Sequence, residues 1–175
     1  MVVDQHRYSE RRMSIILFSR PVHSGKTTEL LQWCRLRENV AGILMPDIDG
    51  SRKILDLSSN DIFDIQCIDP ASATEPLTRV GRFDFYTQAF ERANEILLRA
   101  LDQPAEWLVI DEAGRLELEG KGFYPAIKHA AEVYTGNKKQ GNLLITVRES
   151  LCEEVIRSFH LVDHKVVHQT KDIPL

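Results

Sequence analysis

Residues 20–28 read RPVHSGKTT and end in side chains that suit the binding of a phosphate chain. The pattern GxxxxGK[ST], between a buried strand and a helix, forms such a loop, and Gly25, Lys26 and Thr27 satisfy its end. Gly25 lets the backbone approach the phosphates, and Lys26 supplies a positive charge beside them. Thr27 offers a hydroxyl to a magnesium ion, and Thr28 can donate to the α-phosphate. The sequence therefore predicts a phosphate-binding loop made of Arg20, Pro21, Val22, His23, Ser24, Gly25, Lys26, Thr27 and Thr28.

This loop is poor in glycine. Arg20 and His23 stand at two positions where glycine is usual. Glycine is favoured there when the backbone needs a positive φ or when a side chain would crowd the phosphates. Because residues 25–28 are intact, we expect an adapted loop in which Arg20 points away from the phosphates. The alternative to an adapted loop is a damaged site. The alternative to a phosphate loop altogether is an ordinary helix start capped by Ser24.

A pair of acids forms the second candidate group. The stretch WLVIDEAG (107–114) is an apolar strand that ends in Asp111 and Glu112. A carboxylate at the end of a neighbouring strand can hold a hydrated magnesium ion, and a second acid can polarise the attacking water as a general base. We assign Asp111 to the metal, together with Thr27, and Glu112 to the base. The alternative is that the two acids only mark a solvated strand end.

Three further features near these groups leave alternatives open. Arg148 follows the predicted strand 142–147, where it can stabilise charge on the γ-phosphate as a catalytic residue or form a surface salt bridge. Thr146 either orients water or packs within its strand. The charged, glycine-flanked run 115–121 is either a mobile flap over the nucleotide or a solvated loop.

The elements that must position these residues alternate along the chain. Short apolar runs rich in β-branched residues predict buried strands, and apolar residues at helical spacing predict helices. Strands are predicted at 13–19, 40–46, 106–111 and 142–147, a hairpin at 51–59 and 61–69, and an edge strand at 164–169. Helices are predicted at 27–36 and 87–101, from Pro125 through 134, and as a last long helix through 151–159. This alternation predicts an α/β fold, a mainly parallel sheet flanked by helices.

Length and composition predict one domain over 13–175 after a flexible polar leader at 1–12. The 22 basic and 26 acidic residues leave a formal net charge of −4, which argues against a nucleic-acid partner. The three cysteines are widely spaced and predict neither a zinc site nor a disulfide framework. The sequence contains no signal peptide and no apolar run long enough to span a membrane, so we expect a cytoplasmic protein.

The stretches SGKTTEL and VIDEAGRLELEGKGF resemble the small P-loop nucleoside-triphosphatases called the cancer-related nucleoside-triphosphatase family. The resemblance extends to VGRF (80–83) and to LLITVRESL (143–151). It implies a RecA-like P-loop fold and hydrolysis of several nucleoside triphosphates, ATP or GTP among them, with Mg2+ as cofactor. It also implies that Lys26 and Thr27 bind phosphate and metal, that Asp111 is the metal-side acid and that Glu112 is the base. A protein partner or a homo-oligomer is left open.

Two other interpretations remain. RPVHSGKTTEL is also similar to the loop of zinc-containing thymidine kinases, although this chain lacks their paired cysteines. The first alternative is therefore a nucleoside kinase. The second is a nucleotide-binding module that has lost turnover.

Overall fold

A computed structural model describes residues 14–136 and 140–174. The predicted leader 1–12 and Met13, the first residue of the first predicted strand, lie outside them. The strands are β1 (Ser14–Arg20), β2 (Val40–Leu44), β3 (Asp47–Ile48), β4 (Ser51–Asp56), β5 (Ile62–Asp64), β6 (Gln66–Cys67), β7 (Leu77–Val80), β8 (Phe83–Tyr86), β9 (Trp107–Ala113), β10 (Asn142–Arg148) and β11 (His164–Val167). The helices are α1 (Lys26–Arg35), α2 (Thr87–Leu101), α3 (Arg115–Leu118), α4 (Tyr124–Thr135) and α5 (Cys152–Ser158), with short 3-10 turns at Pro70–Ser72, Glu149–Leu151 and Thr170–Asp172.

The main sheet has the strand order β11-β1-β10-β9-β2-β4-β3, and β5 pairs with the far side of β4. The strands from β11 to β2 are parallel, and β4 adds the first antiparallel pair. Residues 15–18 of β1 are buried on both faces, as an unbroken apolar run predicts for a strand inside a parallel sheet. The mainly parallel sheet, the hairpin of β4 with β5 and the edge position of β11 are confirmed.

Helices cover both faces of this sheet. On one face, α2 and α4 supply apolar side chains such as Phe90, Leu97 and Ile127 to the larger core cluster. On the other face, α1 packs Trp33 edge-on against Trp107 of β9, with ring centroids 4.9 Å apart. The predicted flanking of the sheet by helices is therefore confirmed.

The structure differs from the sequence prediction in its smaller elements. A second antiparallel sheet of order β6-β8-β7 was not predicted, because its strands are two to four residues long. A two-residue turn, Gly81–Arg82, joins β7 to β8, which places VGRF at a hairpin tip. The last helix is not long: residues 149–151 form a 3-10 turn and α5 covers only 152–158. It ends because His160 turns into the left-handed region, with φ 50°, and the Leu161 N–H closes back onto the Ile156 carbonyl.

The parallel strands bring the predicted site residues to one edge of the sheet. The ends of β1 and β10 are in register, with Arg20 beside Arg148, and β9 ends next to β10. Strand β2 approaches β9 closely at Gly42, where a Cβ would lie 2.0 Å from the Val109 carbonyl oxygen. Ligands of open α/β sheets bind at this carboxyl edge. None of the described helices is both long enough and apolar enough to cross a membrane.

Candidate active site

The predicted phosphate loop lies between the end of β1 and the start of α1. Gly25 is the N-cap of α1 and takes the left-handed conformation, with φ 77°. Its carbonyl accepts the Glu29 N–H at 3.0 Å, which is the first bond of the helix. The interpretation of Ser24 as the helix cap is therefore wrong. The Ser24 hydroxyl is buried and has no hydrogen-bond partner among the described residues.

Lys26 folds back across the loop that precedes it. Its Nζ donates to the carbonyl oxygens of Pro21 at 3.1 Å and Arg20 at 3.3 Å, and only 7% of the residue is exposed. Burial lowers the pKa of the Lys26 ammonium group, and the negative charges of Glu112 and Asp111 partly oppose this shift. The backbone of the loop therefore surrounds the Lys26 ammonium group.

The two residues that replace glycine have different environments. Arg20 is the last residue of β1, and its guanidinium pairs with Glu29 and donates to the Ser24 carbonyl at 2.7 Å. Arg20 and Pro21 line a depression separate from the cavity in front of the loop. The left-handed backbone lies at His23, with φ 57°. The Arg20 side chain therefore points away from that cavity, and the glycine-like conformation is taken by His23.

Asp111 joins the loop to the sheet. Its carboxylate accepts the Thr27 hydroxyl at 2.8 Å, the Thr146 hydroxyl at 2.5 Å and the Met45 N–H at 3.1 Å. The residue is 2% exposed, so these three neutral donors replace the solvent that a buried carboxylate loses. Thr146 does more than pack within its strand, although its sequence position carries no signal of this contact.

Glu112 and Arg148 form an ion pair at the cavity wall. Nε of Arg148 lies 3.1 Å from Oε1 of Glu112, and the two side chains are 34% and 18% exposed. The predicted base is therefore accessible, and its neighbour is the arginine for which the sequence left two roles open. The structure shows a partly buried salt bridge between two candidate catalytic residues.

The backbone on both sides of the run 115–121 is hydrogen-bonded to one side chain within it. The buried Glu117 accepts the Gly114 N–H at 2.8 Å and the Phe123 N–H at 3.0 Å. Burial raises the pKa of the Glu117 carboxyl, and these N–H groups oppose the shift. Gly122 has φ 61°, a left-handed backbone that glycine adopts without strain, and a Cβ there would also force the nearby Glu117 carboxylate to shift. The run consists of the short helix α3 and the turn after it, and the buried Glu117 carboxylate holds it in place.

A cavity of about 720 Å³ connects these groups. It is lined by the loop residues Val22, His23, Ser24, Gly25, Lys26, Thr27 and Thr28, and by Asp111, Glu112 and Arg148. Sequence analysis missed Met45, Arg52, Arg82 and Phe83, which line the same cavity. Arg82 and Phe83 belong to the stretch VGRF, which the family resemblance included without giving either residue a role. Nothing in the sequence pointed to Met45 or Arg52.

The donor set at the loop fits a magnesium ion. Mg2+ prefers oxygen ligands and binds through one or two carboxylates together with substrate phosphates and water. Thr27 and Asp111 bring a hydroxyl and a carboxylate into contact beside the loop. No group of three or more acidic, histidine or cysteine side chains suited to a metal occurs in 14–136 or 140–174. The site therefore fits a metal that shares its ligands with a phosphate substrate.

Comparison with known proteins identifies the family. A protein-family model described as NTPase matches residues 15–173. The chain belongs to this NTPase family. Nucleoside-triphosphatase THEP1 of Methanopyrus kandleri is 32% identical over an alignment of 131 residues, and the match covers 70% of this chain and 69% of that protein.

Two solved structures confirm the fold of this NTPase-family chain. The crystal structure of THEP1 from Aquifex aeolicus has a TM-score of 0.67 at 21% identity, and the match covers 93% of this chain and 97% of that one. The solution structure of a human cancer-related nucleoside triphosphatase has a TM-score of 0.59 at 22% identity, covering 91% and 90%. The predicted P-loop NTPase fold and the resemblance to this family are both confirmed.

Proposed function

We propose that the protein hydrolyses nucleoside triphosphates to the diphosphate and phosphate in a magnesium-dependent reaction. The observation that carries the proposal is the contact between the Thr27 hydroxyl and the buried Asp111 carboxylate, 2.8 Å apart. This contact unites a phosphate loop and an acidic strand end, which phosphoryl-transfer enzymes use together. The printed name of the relative from Methanopyrus kandleri, a nucleoside-triphosphatase, supports the same reaction.

The loop would bind the phosphates through its backbone and three side chains. The first N–H groups of α1 lack partners within the helix and attract an anion. Lys26 adds a fixed positive charge, and Thr28 adds a hydroxyl at the cavity wall. Ser24 also lines the cavity, but its hydroxyl is buried and lacks a partner among the described residues, so it would have to rotate toward the cavity to donate to a phosphate oxygen. These donors favour the triphosphate over an uncharged nucleoside.

Thr27 and Asp111 would hold the magnesium ion. When bound, Mg2+ neutralises charge on the phosphates as a Lewis acid. Asp111 is already oriented by Thr146 and the Met45 N–H, so its carboxylate needs little rearrangement to serve. The metal assignment rests on this donor set.

Glu112 would act as the general base for water, and Arg148 would stabilise negative charge on the transferred phosphoryl group. A water beside Glu112 attacks the γ-phosphorus and gives its proton to the carboxylate, while the bond to the β–γ bridging oxygen breaks and the diphosphate leaves. In the structure Arg148 holds Glu112 through a 3.1 Å contact. From that position the guanidinium orients the base and adds positive charge near the transferred group.

The proposal also covers the domain organisation, the substrates and the partners of the protein. We infer that 13–175 act as one domain, that ATP and GTP are both substrates, and that nucleic acid is not a partner. The single domain is supported by the continuous main sheet, and the absence of a nucleic-acid partner by the net charge of −4. The two substrates are inferred from the family resemblance alone. A cytoplasmic location stays a prediction, and a protein partner or homo-oligomer stays open.

The test is phosphate release with each of the four ribonucleoside triphosphates, with and without a nucleoside acceptor, before and after magnesium chelation. We expect free phosphate without an acceptor, and its loss on chelation. Diphosphate formation that requires the acceptor would favour the nucleoside kinase. Triphosphate binding without turnover would favour the binding module.

A further inference from the structure

Two arginines stand on the far wall of the main cavity without an acidic partner. Arg52 belongs to β4, and Arg82 belongs to the turn between β7 and β8. Their guanidinium carbons lie 5.5 Å and 4.9 Å from the centroid of the Phe83 ring. Within the described ranges neither guanidinium has a carboxylate oxygen at ion-pair distance. The protein as a whole is acidic, so two unpaired arginines facing one cavity indicate an anionic ligand.

The strand order places Arg52 on the side of the acids that is remote from the loop, and Arg82 joins it there through the Phe83 ring that both guanidinium groups approach. The loop follows β1, the acids end β9 two strands away, and β4 lies two strands further on. At about 4.8 Å a strand, β4 is roughly 10 Å beyond the acidic strand. The register pairs Leu44 with Leu55, so Arg52 lies past the carboxyl end of β2. Arg52 and Glu112 also line one small cavity together, which confirms that they are near each other.

This side is the one from which a phosphoryl group is attacked. In phosphoryl transfer the attacking and leaving oxygens are roughly in line with the phosphorus. In the proposed function the loop would hold the leaving diphosphate on the β1 side, so the attacking group would approach from the side of β2 and β4. A ligand bound by Arg52 and Arg82 would stand there.

The same wall also offers apolar surface. Ile62 of β5 lines the cavity and is 52% exposed, and Ile48 of β3 lines the same cavity from the other side of β4. A large aliphatic side chain exposed in a cavity suits an apolar or planar part of a ligand. An anionic group beside the arginines and a planar part beside Ile62 together match the chemistry of a nucleotide.

We propose that the far wall is a second ligand site for a nucleoside monophosphate, bound at the same time as the triphosphate. Arg52 and Arg82, held on the Phe83 ring, bind its phosphate, and Ile62 contacts its nucleoside part. The proposal rests on the proposed function, because the triphosphate defines which side of the cavity remains free.

The test is calorimetric titration of protein saturated with a non-hydrolysable triphosphate analogue and magnesium. The four ribonucleoside 5′-monophosphates are the probes, and the matching nucleosides are the uncharged controls. We expect one equivalent of at least one monophosphate to bind, and its nucleoside to bind at least tenfold more weakly. Arg52→Gln and Arg82→Gln should each weaken monophosphate binding at least tenfold. Arg79→Gln, on the same small sheet but outside the cavity lining, should not.

Three results would overturn this site. The first is the absence of a second binding event, and the second is equal affinity for nucleoside and monophosphate. The third is that both arginine variants lose as much affinity for the triphosphate analogue as for the monophosphate. The last would assign the arginines to the triphosphate itself. Failure of hydrolysis alone is distinct, because it appears in the phosphate-release assay and leaves both titrations unchanged. Failure of the triphosphate site itself is also distinct, because the analogue then does not bind. Monophosphate binding to the free protein is compared in the same variants in that case, and an unchanged affinity would reject the site.

Discussion

At the scale of single residues, Asp111 and Glu112 are neighbours in sequence with opposite surroundings. Asp111 is buried and takes its three hydrogen bonds from uncharged donors. Glu112 faces the cavity and pairs with a cation. A buried, oriented carboxylate suits a fixed ligand position, whereas an accessible one suits proton transfer. The different environments support the division of roles between the two acids.

The first prediction tests the base. Glu112→Gln keeps the size of the side chain and its place beside Arg148 but removes the proton acceptor. We expect triphosphate affinity to be retained and the turnover number to fall about 10²–10⁴-fold, the usual contribution of a general base. Calorimetry and phosphate release measure the two effects separately.

Glu119→Gln is the matched control, because Glu119 is exposed and its ion pair is with Lys121 on the surface. Its turnover should equal that of the parent. Parental turnover in Glu112→Gln would show that Glu112 is not the base.

The second prediction concerns the loop cation. Lys26→Ala removes the ammonium group that donates to two carbonyls of the loop and lies beside the predicted phosphates. Triphosphate affinity should fall by more than about tenfold, because a charge-assisted hydrogen bond contributes about 1.5–3 kcal/mol. Nucleoside affinity should change far less. Unchanged triphosphate binding by calorimetry would refute the phosphate-loop assignment.

At the scale of elements, the turn from β1 to α1 shows how a glycine-poor sequence forms this loop. Residues with positive φ are His23 and Gly25, and Arg20 remains in the extended strand. Histidine is among the residues that take the left-handed region more often than most. The Arg20 guanidinium then braces the turn from outside through the Ser24 carbonyl and Glu29. Backbone strain in this loop therefore belongs to His23.

The third prediction tests that location. A Cβ disfavours the left-handed conformation by about 1 kcal/mol, so His23→Ala should be less stable to urea than His23→Gly by about that amount. The reverse order is expected at Val22, the exposed neighbour, which does not have a positive φ. Equal stabilities of the two His23 variants would show that the loop relaxes to another path.

At the scale of the whole molecule, one carboxylate ties the end of the chain to the nucleotide loop. Glu29 of α1 pairs with Arg20 and accepts both the N–H of Thr170 at 2.8 Å and its hydroxyl at 2.9 Å. Burial alone would raise the pKa of Glu29, but the hydrogen bonds from Thr170 and the charge of Arg20 lower it overall. The contact joins residues 141 positions apart in the chain.

The fourth prediction follows from the sign of that shift. Because the pKa of Glu29 is lower in the folded state, its stabilisation is complete above its unfolded pKa, about 4.3, and is lost as pH falls through the folded value. Glu29→Gln should therefore reduce the free energy of unfolding by roughly 0.5–1 kcal/mol at neutral pH. The difference from the parent should shrink below about pH 4.

Denaturant unfolding across the acid range measures this difference. Glu91→Gln, on the exposed side of α2, is the control and should show no such convergence. A difference at Glu29 that is constant with pH would mean that its role does not depend on charge.

The sequence by itself determined the large elements and the composition of the site. The order of buried strands and helices was readable because β1, β9 and β10 are continuous apolar runs and α2 keeps a helical apolar spacing over its whole length. The loop and the two acids were readable because they are local motifs whose residues are adjacent in the chain. Short-range patterns are sufficient for both.

Only the tertiary structure decided what meets across the sheet. Thr146 and Met45 reach Asp111 because β10 and β2 flank β9, a fact of strand order that no local pattern encodes. Arg52 of β4 and Arg82 of the β7–β8 turn line one cavity because both approach the Phe83 ring of β8. Strand β4 was predicted, but β6, β7 and β8 have only two to four residues and give no periodic signal. Whether Arg20 or His23 carries the glycine-like conformation likewise depends on the path of the backbone, which is fixed by contacts with Glu29 and, through it, with Thr170 far along the chain.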